Sequence, residues 1–124
     1  MTRYYETIAE FERDGFDIVV DKTYEDMNPY DHFEADNMDE ISRKIDNGTY
    51  DWFMLRVRVM VEGLELGSAY LGGCLYSDAK EVLTDGTAED LIAGAMIEAK
   101  PKVYGLKQKF AELSDMIDRE GVNV

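Results

Sequence analysis

Few side chains in this 124-residue sequence are of types that do chemistry, and their spacing decides what each could do. His32 is the sole histidine and lies between Asp31 and Glu34, carboxylates able to tune an imidazole. A hydrolytic centre would also need a placed Ser or Cys and an oxyanion hole, and no motif supplies them. Cys74 is the only cysteine; it follows Gly72-Gly73 and precedes Leu75, the setting of a small buried hydrophobe rather than an activated thiolate. Gly67-x4-Gly72-Gly73 has the glycines of a phosphate loop but not its GK[ST] ending, and no helix is expected directly after it. Those glycines read instead as a bulge or bend where another backbone can come close. The sequence therefore predicts no catalytic residue, no cofactor site and no metal site.

Glu25–Glu40 is the densest charge feature, with seven carboxylates and no Lys or Arg. Oxygen-rich stretches hold Ca²⁺ or Mg²⁺ when acids alternate around a central Gly. Asp31–Asp36 instead places Phe33 and Ala35 among its acids and has no Gly. The other use of such a row is charge mimicry. Glu25, Asp26, Asp31, Glu34, Asp36, Asp39 and Glu40, with Tyr30 and Phe33 as anchors, are the expected contact set for a protein partner with a basic surface. The function expected from this is a non-enzymatic acidic binding protein, of the kind that inhibits a nucleic-acid enzyme by imitating its substrate. The alternative is an oligomeric structural or accessory protein whose acidity only keeps it soluble.

The overall balance agrees with both. There are 27 acidic against 13 basic residues, a net charge of −14, which argues against direct binding of nucleic acid or anionic lipid. The acidity concentrates in the first 48 residues. A lone cysteine precludes an intrachain disulfide, and no run approaches the roughly 20 apolar residues of a membrane span. A cytoplasmic, soluble protein of one domain, 1–124, is expected.

The elements that must position these residues centre on Tyr50–Tyr76. Phe53, Leu55, Val57, Val59 and Val61 form an unbroken apolar row, with Trp52, Met54, Arg56, Arg58 and Met60 on the other face. Glu62-Gly63 reverses the chain into a glycine-interrupted return strand, 64–76. The Trp52/Met54/Arg56/Arg58 face is neither plain core nor plain surface. It suits a homodimer contact, a cover of C-terminal helices, or pairing of its arginines with the acidic stretch.

Phe16–Tyr24 reads as a further strand, at an edge. Thr2–Arg13 reads as a short helix on the spacing of Tyr4 or Tyr5, Ile8 and Phe11, stopped by Asp14-Gly15; an edge strand over 3–8 is the rival reading. Asp36 or Asn37 caps a helix from Met38 to about Asn47, and Ser77 caps a short one ended by Gly86. Thr87 caps another, which Pro101 either kinks or ends near Ala99. Val103, Leu106, Phe110, Leu113 and Ile117 then continue at helical spacing to Gly121. The fold class expected is α+β: a three-stranded, mainly antiparallel sheet (16–24, 50–61, 64–76) with the helices on one face.

The glycine-rich return strand ELGSAYLGGCLY, with the short helix and acidic helix after it, resembles small uncharacterised proteins encoded by bacteriophages and marine bacteria. The resemblance covers residues 50–99. It implies a phage accessory role, inhibition of host defence among them, and carries no activity or site residue.

Overall fold

The computed structural model describes residues 3–33 and 36–121. It is an α+β fold whose sheet has four antiparallel strands in sequence order: β1 (Glu6–Arg13), β2 (Phe16–Tyr24), β3 (Asp51–Val61) and β4 (Leu64–Tyr76). Between β2 and β3 lie a single helical turn, α1 (Pro29–His32), and α2 (Met38–Asp46). A 3₁₀ turn at Ala79–Leu83 leads into the 34-residue helix α3 (Thr87–Glu120).

The fourth strand corrects the helix expected over the first thirteen residues. β1 pairs with β2 in register Glu6↔Lys22 to Arg13↔Phe16, with a one-residue shift between Thr7 and Ala9. That bulge inserts Ile8, so Ile8, Ala9 and Phe11 all pack against the core. A bulge puts same-face residues three apart, which is the spacing that imitates a helix turn. Asp14-Gly15 is consequently not a helix stop. Both residues have positive φ (54° and 86°), as a two-residue type I′ hairpin turn requires. Glu62-Gly63 repeats this geometry (50° and 79°) between β3 and β4. With β1 outside it, β2 is an inner strand rather than an edge.

One face of the sheet is the core. Ile18, Val20, Phe53, Leu55, Val57, Val59, Leu66 and Cys74 turn inward to meet Val82 and the α3 residues Ala88, Ile92, Ala95, Met96 and Ala99. Helix and sheet approach closely at Gly67, where an added Cβ would lie 2.2 Å from the Ala95 carbonyl oxygen. Arg13 clamps the start of α3 to the first hairpin through a two-pronged ion pair with Glu89 (2.7 and 3.0 Å).

Pro101 neither ends nor replaces this helix; α3 runs through it. Proline has no N–H for the Ile97 carbonyl, but Ile97 and Pro101 are both exposed, so that oxygen need not be buried unpaired. The consequence is a helix in two halves. Residues 88–99 lie on the sheet; beyond Lys100 every described residue is exposed except the half-buried Leu106.

Candidate functional surfaces

The sheet's second face is organised by a buried charge. Asp21, 1% exposed, accepts from Arg56 Nε (3.0 Å) and Nη2 (2.6 Å) and from Thr7 Oγ1 (3.2 Å), and forms an ion pair with Arg58 Nη2 (3.2 Å). β2–β3 pairing dictates this: Asp21 is directly opposite Arg56, and Val19 opposite Arg58. Tyr5 then lies over the Arg56 guanidinium, 3.4 Å from ring centroid to Cζ. The two arginines thus share the single Asp21 carboxylate rather than pairing with the Glu25–Glu40 stretch, and the buried Arg58 Nε has no hydrogen-bond partner among the described residues. α3 covers the opposite face, so what closes this one is its own long side chains and, at one end, residues 25–33, which include α1.

That segment is fastened at several points. Trp52 Nε1 donates to the Met27 carbonyl (2.9 Å), and the rings of His32, Phe33 and Trp52 contact one another at centroid separations of 4.7 to 5.6 Å. Gly73, at φ 70°, forms a bulge in β4 whose N–H donates to Glu25 Oε1 (2.5 Å). An added Cβ there would lie 2.6 Å from the His32 ring. The glycines read as a bulge or close approach in sequence do both: Gly67 admits a helix backbone, and Gly73 turns the strand and admits an imidazole.

The acidic contact set is placed as follows. Glu25 is turned onto Gly73, Asp26 pairs with Arg3 (2.7 Å), Asp39 accepts from the Tyr30 hydroxyl (2.6 Å), and Glu40 pairs with Lys44 (3.2 Å). Asp31 and Asp36 are exposed, Phe33 packs on Trp52, and Glu34 lies outside the described residues. Of the described carboxylates only Glu25 makes a part-buried bond; Asp26, Asp39 and Glu40 hold exposed pairs, which bind them weakly.

Of the two groups with chemical potential, one is exposed and one is buried. His32 lies against Gly73 and Trp52 with its side chain exposed. Cys74 is 4% exposed, and burial pushes its thiol up to about 11, with the Glu25 charge adding to the effect, so it is protonated at neutral pH. Among the described residues no group of three or more His, Cys, Asp or Glu side chains is arranged to hold a metal ion.

The surface that stands out is apolar. Val103, Leu106, Phe110, Leu113 and Ile117 continue the buried stripe of α3 past the end of the sheet, and Phe110 and Ile117 are 59% and 47% exposed. Their spacing of three and four alternately is a coiled-coil seam. Sequence periodicity found the stripe and assigned it to the core; it did not show that the sheet ends at Leu64. Where the helix passes the β3–β4 tip, Val61, Leu64, Leu66, Val103, Leu106 and Phe110 line a groove of about 500 Å³. Lys100, Lys102, Lys107 and Lys109 flank the seam here with no carboxylate among them, in a chain otherwise strongly acidic.

No family model, curated protein or solved structure matches this chain.

Proposed function

We propose that this is a non-enzymatic binding protein of the accessory, assembling kind, and that its working element is the projecting half of α3, which fits an amphipathic partner helix. The observation that carries the reading is the continuation of one apolar stripe from buried to exposed along a single unbroken helix. Residues 100–120 extend about 30 Å at 1.5 Å per residue. A helix with a seam at heptad spacing and nothing beside it buries that seam only by pairing.

Two other surfaces have less support. In a phosphate-like acidic row offered to a basic partner, Glu25 is already turned onto Gly73, and Asp26, Asp39 and Glu40 would have to exchange their exposed pairs for the partner's cations. A contact through the Trp52/Met54/Arg56/Arg58 face would meet arginines already held by Asp21 and an indole N–H already bonded to Met27.

Ending the chain after Lys109 tests the reading. If residues 110–120 serve association, the shortened protein keeps the circular dichroism and melting temperature of the full body to within a few degrees. A body that unfolds without them would make the segment a structural prop and sink the proposal.

A further inference from the structure

We infer that Asn47 is a site of spontaneous deamidation and that the last turn of α2 gates the reaction. The inference is independent of the function proposed above.

The sequence sets the chemistry. The backbone nitrogen after an asparagine can attack the side-chain amide carbon; a C–N bond forms, a succinimide ring closes and ammonia leaves. Water then opens the ring at either carbonyl. The product is aspartate or, with the main chain rerouted through the side chain, isoaspartate. A bulky next residue hinders the attack, and proline has no N–H to lose. The four asparagines are followed by Pro29, Met38, Gly48 and Val124. Gly48 alone leaves the nitrogen unhindered. Asn47 and Gly48 are both exposed, so water reaches the ring once it forms.

The fold opposes the first step. Asn47 is the C-cap of α2, at φ −91° and ψ 3°. Ring closure needs the Gly48 nitrogen eclipsed with the Cα–Cβ bond of Asn47, whereas a ψ this close to zero eclipses it with the Asn47 nitrogen. Rotating it into place breaks the bonds that close the turn. These are Asn47 N–H to the Arg43 carbonyl (3.0 Å), Gly48 N–H to Ile45 (3.2 Å) and Tyr50 N–H to Lys44 (3.0 Å). The amide is held as well, since Asn47 Oδ1 accepts from the Thr49 N–H (3.0 Å) and hydroxyl (2.6 Å). Gly48 stops the helix at φ 82°, a conformation that favours glycine. The residue that ends α2 is therefore also the one that makes Asn47 reactive.

A helix end opens far more readily than a core strand, so the reaction runs through the opened turn and its rate follows the open fraction. Each product weakens the cap. Aspartate at 47 adds a negative charge at the C-terminal end of α2, which the helix dipole disfavours, and isoaspartate lengthens the main chain inside the turn. The change is one-way.

The full chain is incubated at pH 7.4 and 37 °C, folded or unfolded in guanidinium chloride, then cut with trypsin for mass spectrometry. Asn47 is read in fragment 45–56, and Asn28 and Asn37 in fragment 23–43. In the unfolded chain, 45–56 should gain the mass of an amide turned acid well ahead of 23–43. In the folded chain that gain should be at least about tenfold slower. Thr49→Val keeps the N–H but removes the hydroxyl bond to Oδ1. It should speed the folded reaction severalfold and leave the unfolded rate unchanged. No preference for 45–56 in the unfolded chain overturns the site. Equal rates in folded and unfolded chains, or a Thr49→Val effect of the same size in both, overturn the gate.

Discussion

Gly67 meets Ala95 backbone to backbone where sheet and helix pack, and the helix position depends on the missing side chain. A Cβ on Gly67 would lie 2.2 Å from the Ala95 carbonyl oxygen and 3.1 Å from the Ala99 nitrogen, both backbone atoms that cannot rotate aside. Gly67→Ala must therefore lift α3 or bend β4. Overpacking of this kind costs about 1–3 kcal/mol, and the backbone contact puts this case at the upper end. The measurement is chemical denaturation of the two proteins, with a lower midpoint for the variant. An unchanged midpoint would mean that helix and sheet are not seated this closely.

Asp21 supports a second prediction. Removing the carboxylate in Asp21→Ala leaves Arg56 and Arg58 facing each other across its former position. Breaking a fully buried pair costs about 3–5 kcal/mol. Arg56 and Arg58 keep some contact with water, so a loss of about 2–3 kcal/mol is expected here. Arg58→Ala should cost less than Arg56→Ala, because Arg56 makes two of the bonds to Asp21 and also stacks under Tyr5.

Cys74 gives a pH signature. Burial raises the thiol from 9.0 to about 11 in the folded chain, so the folded state holds its proton where the unfolded state has lost it. The sign follows: this contribution is fully present below pH 9 and is lost as pH rises from 9 toward 11. Its limit is about 2–3 kcal/mol. Lysines and tyrosines titrate over the same range, so the comparison is with Cys74→Ala, whose stability should fall less steeply between pH 8.5 and 10.5. At pH 8 the folded protein should react with iodoacetamide only at its unfolding rate. Rapid labelling there would show that the thiol is reached from solvent.

Much of the fold was legible in the sequence where a strict period held. The β3 row from Phe53 to Val61 and the turn at Glu62-Gly63 were read correctly because nothing interrupts the alternation. β1 was not, because one bulged residue gave Ile8 and Phe11 a helical spacing. Asp14-Gly15 was the overlooked signal: it has the same acid-glycine form as Glu62-Gly63 and makes the same turn. The stripe from Val103 to Ile117 was visible and misplaced. Periodicity shows which face of a helix is apolar, but what covers that face depends on where the sheet stops. In the acidic stretch, a count of carboxylates does not reveal that Gly73, Arg3, Tyr30 and Lys44 engage four of them.

Pro101 lies at the junction of the two halves of α3, and its substitution separates their behaviour. Proline in a helix interior is about 3 kcal/mol less favourable than alanine, through the lost N–H and the crowding of the preceding turn. Here the lost bond is to the Ile97 carbonyl, on an exposed part of the helix, so water offsets part of the cost. Pro101→Ala restores the bond without touching the core, since neither residue 97 nor 101 is buried. The body from Ala88 to Ala99 should melt at nearly the same temperature, because its packing is unaltered. Amide exchange from Glu98 to about Leu106 should slow by tenfold or more, because the projecting half then propagates from an uninterrupted helix. Equal exchange in both proteins would mean that the proline does not loosen the junction.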